Sequence, residues 1–373
     1  MKKLKICVYA ICKNEEKFVD KWMDSMSEAD LVVVTDTGSD DGTVERLRER
    51  GALVFEEKIT PWRFDRARNV SLSHVPEDAD VCVCTDLDEL FEAGWRKNLE
   101  KTWLSFKPKY PGPVAKTGRY VYNWSLKPDG TPDVQFYYFK VHERKGFCWK
   151  CPVHEYVFYE GKLPLEIVYI DGMTLNHYPD TAKSRGSYLP LLLLAVAEEP
   201  QNERMRYYLG REYMYKGEWE KCVSVLTEYL GLPSATWNEE RSAAMRWIAK
   251  CFFEMRQTAK AYVWYWKAAA EAPHLRDPLI EFSKICCGLK DWPTAYFLAK
   301  EALAIGKKSK TFVNMGYAWD HTPDDLCSFA AYNMNMPGEA LFHAKKALAY
   351  SPDNERLKNN VIILEAASGT KNS

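Results

Sequence analysis

The chain lacks an excess of charge of either sign. It carries 51 Lys and Arg against 52 Asp and Glu, a formal net charge of −1, so no overall field draws it onto nucleic acid or a membrane surface. A long hydrophobic run is missing as well. The longest, Leu189 to Ala197, contains Pro190 and falls short of the ~20 apolar residues that cross a bilayer; no membrane partner is expected. The basic start Met1-Lys2-Lys3-Leu4-Lys5 leads into the apolar Ile6 to Cys12, but that stretch stops at Lys13-Asn14-Glu15-Glu16 without a small-residue cleavage site. It reads as the first strand of the fold, not as a signal peptide. No cysteine framework is evident either. The 11 Cys are odd in number and scattered through apolar segments, which points to reduced thiols and a cytoplasmic location. Cys148 and Cys151 have half-zinc-site spacing, but no second pair stands at a matching distance, so packing explains them. Nor does a Gly-rich, Lys- or Arg-bearing phosphate loop follow the first strand, which speaks against a nucleotidyltransferase.

What is present is enough for two domains. The 373 residues are 46% hydrophobic and 28% charged, ordinary for a globular chain. The first half alternates short apolar runs with amphipathic segments: strands at Ile6 to Cys12, Leu31 to Thr35, Leu53 to Phe55 and Val81 to Cys84, and helices at Lys17 to Ser27, Gly42 to Arg50 and Asp65 to Ser73. That alternation predicts a Rossmann-like α/β domain over residues 1–185, with a largely parallel sheet between helices. Residues 101–176 break the pattern with frequent Pro and Gly, and read as a smaller inserted subdomain. Between 101 and 150 lie ten Lys or Arg against three Asp or Glu, with aromatics among them. Such a cluster reads first as solvated surface and second as a surface for an acidic or phosphate-bearing acceptor.

From 200 to 368 the chain turns helical and repetitive. Small and large residues recur as Gly210, Tyr213, Cys222, Leu226; then Ala249, Phe252, Ala261, Tyr265, Ala268, Pro273; then Ser283, Cys286, Ala295, Ala299, Ala302; then Ser328, Ala331, Ala340, Ala344, Ala347, Pro352. Small residues at these positions let the two helices of a hairpin approach, which is the tetratricopeptide pattern. The sets are unevenly spaced, so insertions are expected, one of them at Gly231 to Asn238. Asn354 to Ala367 reads as a capping helix.

The chemistry-bearing residues fall at predicted strand ends, where ligands sit in open α/β sheets. Asp86 and Asp88, in Thr85-Asp86-Leu87-Asp88, directly follow the run Val81 to Cys84. Two hard oxygen donors at a strand tip suit Mg²⁺ or Mn²⁺ held against a diphosphate. Asp36 ends the second strand, with Gly38 and Gly42 permitting a tight turn; Asp36 and Asp41 also read as helix caps before Val44. Asn14 and Glu15 end the first strand. Arg68 precedes the metal strand on a helix and suits either a diphosphate or a carboxylate.

Ile11-Cys12-Lys13-Asn14-Glu15-Glu16, Asp36-Thr37-Gly38-Ser39-Asp40-Asp41-Gly42-Thr43 and Asp86-Leu87-Asp88, in that order, resemble the family 2 glycosyltransferases of the GT-A fold. Phe64-Asp65-Arg66-Ala67-Arg68-Asn69 and Pro152-Val153-His154-Glu155 resemble the subgroup that carries C-terminal tetratricopeptide repeats and includes bacteriocin peptide S-glycosyltransferases. Thr37 departs from the commoner pattern, which has a second acid there. The resemblance implies an inverting, metal-dependent glycosyltransferase using a nucleotide sugar, usually UDP-linked. It implies Asn14, Glu15, Asp36, Arg68, Asp86 and Leu87 as nucleotide-sugar contacts, and Asp86, Asp88 and His177 around Mn²⁺ or Mg²⁺. For the general base, Glu155 comes first, His154 second and Glu89 third.

The expected acceptor is a peptide or protein presented by the repeats, with modified nucleic acid bases as the alternative acceptor. A further alternative is a non-catalytic repeat scaffold. Repeat arrays also self-associate, which admits a homodimer.

Overall fold

The computed structural model describes residues 3–180 and 186–369; the boundary expected at residue 185 lies outside them. Contacts divide the chain into two units, Met1–Pro200 and Gln201–Ser373.

The first unit is a mixed α/β domain. Its elements are β1 (Ile6–Cys12), α1 (Glu16–Met26), β2 (Leu31–Asp36), α2 (Thr43–Glu49), β3 (Leu53–Glu56), α3 (Phe64–His74), β4 (Val81–Cys84), β5 (Glu89–Phe91), α4 (Trp95–Ser105), β6 (Ala115–Leu126), β7 (Pro132–Glu143), β8 (Phe147–Lys150), β9 (Tyr156–Tyr159), β10 (Leu165–His177) and α5 (Tyr188–Glu198). The main sheet runs β3-β2-β1-β4-β7-β6-β10-β5, and β8 pairs β9 separately. Strands β3, β2, β1 and β4 are mutually parallel. Antiparallel pairing begins where β7 meets β4.

Strand β1 is buried along its whole length, as a central strand covered on both faces must be. Alternate residues go to opposite layers. Ile6, Val8, Ala10 and Cys12 face one side with Trp22 of α1 and Trp95 and Leu99 of α4. Cys7 and Tyr9 face the other with Leu72 of α3, Cys82, Cys84 and Trp149. Burial pushes the Cys7 thiol up to about 12 and that of Cys84 to about 11, so these cysteines are inert packing groups.

The stretch from 101 to 176 contributes strands to the main sheet. Strands β6, β7 and β10 extend the main sheet, because their inward residues Tyr120, Tyr122, Val141, Val168 and Ile170 complete the same core. Gly118 is needed on β6: a Cβ there would lie 2.7 Å from the Ile170 side chain.

The second unit is an all-α array of hairpins: α6 (Glu203–Tyr215) with α7 (Trp219–Gly231), α8 (Asn238–Glu254) with α9 (Thr258–Glu271), α10 (Asp277–Gly288) with α11 (Trp292–Ala304), and α12 (Thr322–Asn333) with α13 (Pro337–Tyr350), then α14 (Glu355–Gly369). The small residues do what their spacing predicts. A Cβ on Gly210 would fall 2.3 Å from Leu226 of α7, and Ser283 stays buried by donating to the carbonyl of Ala295.

Each hairpin turns through one left-handed residue: Gly217, Arg256, Lys290 and Asn335. In each, the next N–H returns to a carbonyl near the helix end, Glu218 to Tyr213, Gln257 to Phe252, Asp291 to Cys286 and Met336 to Ala331. This is the Schellman closure, in which glycine is the usual left-handed residue.

Candidate functional site

The tips of β1 and β2 are tied to each other. Asn14, itself left-handed at φ 55, donates its N–H to Ser39 Oγ at 2.8 Å and its amide to Asp40 at 2.7 Å, and accepts the Asp40 N–H at 2.9 Å. Asp36 is buried. Its Oδ2 accepts the N–H groups of Gly38 and Ser39 at 2.9 Å each, and the Ser39 hydroxyl donates to its Oδ1. The carboxylate therefore shapes its own turn, satisfying donors that would otherwise be orphaned. Glu15 is also buried, and its N–H donates to Thr43 at the start of α2. A Cβ on Gly42 would strike the Glu16 carboxylate, 2.6 Å away.

The tip of β4 holds a chain of ion pairs. The Arg68 guanidinium, 3% exposed, donates to Asp86 Oδ1 and to Glu155 Oε1 at 3.1 Å. Lys140 of β7, 4% exposed, donates to Asp86 Oδ2 at 2.9 Å and lies 3.4 Å from Glu89. Glu89 in turn accepts the Asp86 N–H at 2.9 Å and the Tyr122 hydroxyl at 2.8 Å. Burial alone would raise the Asp86 carboxyl, but Arg68 and Lys140 outweigh it and hold the group well below the usual carboxylate range. Burial raises Glu89, and the Asp86 charge raises it further against the pull of Lys140.

The expected site residues thus divide. Arg68, Asp86 and Glu155 come together, but as partners in a salt-bridge chain. Glu155, the first choice of base, already accepts from Arg68. His154 is left-handed at φ 51, with its ring edge-on to Tyr188 at 5.5 Å. Leu87, in the turn between β4 and β5, is 1% exposed and packs its side chain in the core. His177, at the end of β10, lies 3.4 Å from Asp88, and its Nδ1 contacts the carbonyl of Trp124 at 3.0 Å. Burial lowers the His177 imidazole, but Asp88 and that carbonyl raise it more.

A divalent cation at Asp86 would first have to displace Arg68 or Lys140, and either buried cation would then lose this partner, which is costly. Among the described residues, no group of three or more His, Cys, Asp or Glu is placed to hold a metal ion.

Sequence reasoning missed Lys140. The signal was a lysine at an inward position of an apolar strand, which demands a buried counter-charge. It also missed a second buried chain, where Trp149 donates to the Tyr9 hydroxyl and that hydroxyl meets His142 Nε2, both at 2.8 Å. Burial pushes the His142 imidazole down to about 4, so it is neutral.

The second unit carries its own constellation. The first helices of neighbouring hairpins touch: α6 with α8, α8 with α10 and α10 with α12. They also exchange side-chain contacts. Tyr207 of α6 stacks on Trp247 of α8 at 4.9 Å, and Arg246 of α8 donates to Glu281 of α10 at 2.6 Å. These first helices line up as one row along the array, which we call the inner row. On three of them a cation follows the small packing residue: Gly210-Arg211, Ala249-Lys250 and Ser283-Lys284. The fourth helix has Ser328-Phe329 there. Lys250, Lys284 and Phe329 are exposed. Arg211 lies over the Tyr208 ring at 4.4 Å.

No family model matches the chain, and no curated protein matches it. Solved structures do. A tetratricopeptide repeat protein from Parabacteroides merdae is 17% identical, with a TM-score of 0.37 over 49% of this chain and 66% of that one. Yeast Tom70 is 14% identical, with a TM-score of 0.38 over 51% of this chain and 37% of its own. The Cut9–Hcn1 hetero-tetramer of APC/C is 13% identical, with a TM-score of 0.37 over 48% of this chain and 33% of that chain. The present chain thus spans about a third of the Cut9–Hcn1 chain's length.

The expectation of a metal-dependent glycosyltransferase, the enzyme the motifs implied, is corrected at its central motif. Asp86, the central acid of that motif, is paired instead with two buried cations, Arg68 and Lys140. No helix among the described residues is long and apolar enough to cross a membrane.

Proposed function

We propose that the chain is a non-catalytic repeat scaffold whose helical unit receives an acidic stretch of a polypeptide partner. One observation carries this reading. Arg211, Lys250 and Lys284 stand at the same position of three consecutive inner helices, so their charges line one row. Equivalent positions in stacked repeats face a common groove, and a row of one sign selects a partner of the other. The first unit supplies a braced α/β body. Its strand order and tip acids support a GT-A-like arrangement as a matter of fold.

Fluorescence anisotropy of a labelled polyglutamate peptide, with polylysine as control, tests the reading. Polyglutamate binds, and binding weakens with salt because exposed charges are screened. Each exposed pair contributes ~0.2–1 kcal/mol, and reversal replaces attraction with repulsion. Lys250→Glu with Lys284→Glu therefore weakens binding by roughly tenfold. Equal binding of both peptides, or metal-dependent turnover of a UDP-sugar by the wild type, refutes the scaffold.

A further inference from the structure

The third hairpin is followed by an insertion, residues 305–319, whose contacts concentrate on the inner row. Its anchor is Glu239 on α8, 3% exposed. The Ser309 hydroxyl donates to Glu239 Oε1 at 2.6 Å, the Thr311 hydroxyl donates to Oε2, and Trp237 donates to Oε2 at 2.9 Å. His274 sits 2.9 Å from Oε1. Phe312 is buried edge-on to Trp237 at 5.2 Å. Farther along, the Met315 N–H donates to Asp277 Oδ1 at 3.1 Å, and the Tyr317 hydroxyl donates to Glu281. Lys284, a member of the cationic row, lies 3.9 Å over the Tyr317 ring. Trp319 stacks on Arg276 at 4.0 Å.

These are the contacts that a bound peptide would make. The insertion presents backbone N–H groups, a hydroxyl and aromatic faces to Asp277, Glu281, Lys284 and Arg276. Tyr317 also shares its acceptor, Glu281 Oε1, with Arg246, which is 5% exposed. The fit is incomplete. Asp277 is 2% exposed, yet its Oδ2 has no hydrogen-bond partner among the described residues. A buried carboxylate oxygen without a donor is unfavourable, so closure of the insertion leaves a defect that another occupant could repair.

We propose that residues 305–319 are an intramolecular strap on the inner row, which a polypeptide partner displaces to reach Arg246, Glu281 and Lys284. This rests on the scaffold reading and adds its regulation. Once Tyr317 leaves, Lys284 loses the ring beneath it and the Arg246–Glu281 pair is opened to the groove; an acidic partner gains Lys284 directly and competes with Glu281 for Arg246, so loosening the strap tightens binding.

Two strap variants test this, Ser309→Ala with Thr311→Ala, and Tyr317→Phe. Each keeps the cationic row intact. Arginine-specific dicarbonyl labelling of Arg246, read by mass spectrometry, reports whether the row is uncovered. Polyglutamate affinity reports competition. The expected result in both variants is faster Arg246 labelling and at least threefold tighter binding. Unchanged labelling in both overturns the strap, and so does faster labelling with unchanged or weaker affinity. If the wild type and every variant fail to bind polyglutamate, the scaffold reading falls and the strap with it. Wild-type binding alone separates that failure from failure of the strap.

Discussion

Replacing Lys140 by methionine tests whether the β4 tip is a structural ion chain. The chain contains three carboxylates, Glu155, Asp86 and Glu89, and two cations, Arg68 and Lys140. Removing Lys140 leaves three acids against one cation, and Glu89 loses its cationic partner while 2% exposed. Breaking a buried pair in this way costs ~3–5 kcal/mol. Asp86→Asn removes a charge from the larger side instead. It leaves Arg68 with Glu155 and Lys140 with Glu89, a balanced set, at a group whose side chain is 35% exposed. The loss is then of charge-assisted hydrogen bonds, ~1–3 kcal/mol. Lys140→Met should therefore be the more destabilising by ~2 kcal/mol, or about 1 M in urea midpoint at a slope of ~2 kcal/mol per M.

The pH dependence has a definite sign. Glu89 is already raised in the fold, so the stability it contributes is present below its unfolded value and lost as pH rises through the folded one. Without Lys140 it rises further, and the deficit of the variant is larger at pH 8 than at pH 5. Urea unfolding with hydrogen exchange on peptides covering β4 and β7 isolates the first unit. If Asp86→Asn costs as much as Lys140→Met, charge balance does not govern the stability of this tip.

Two further expectations follow from the repeat unit. Lys290→Gly and Arg256→Gly replace exposed left-handed residues at turns, where a non-glycine residue costs ~1–2 kcal/mol and added chain entropy offsets part of the gain. Each should stabilise the unit by up to ~1 kcal/mol in thermal unfolding; a lower melting temperature refutes the strain argument. For Asp277, burial pushes the carboxyl up to about 6 despite Arg246, with Glu281 adding to the rise and the Met315 N–H opposing it. Its contribution is present below the unfolded value of ~3.9 and lost as pH rises through about 6. Asp277→Asn should then be neutral at pH 4 and stabilising by ~1–3 kcal/mol at pH 8, and melts that show the reverse order refute the assignment.

Much of the molecule was legible along the chain. Apolar runs bounded by turn residues marked β1, β2 and β4, and the acids beyond them do lie at strand tips. Small residues at Gly210, Ala249, Ser283 and Ser328 marked the helical hairpins, because close helix approach excludes larger groups. The function attached to the acids was not legible in the same way. A carboxylate at a strand end has the same sequence signature whether it meets a metal or a lysine.

Local periodicity and residue size are short-range properties, and they are written along the chain. They determined the order of strands and helices in the first half, the buried faces and the four hairpins. Partner choice is long-range. Lys140 reaches Asp86 only because β7 inserts beside β4, and residues 305–319 reach Glu239 and Glu281 only because stacked hairpins bring α8 and α10 together. Those pairings cross 54, 70 and 36 residues. Tertiary structure alone decided them, since a charge is neutralised by whatever the fold places within a few ångströms of it.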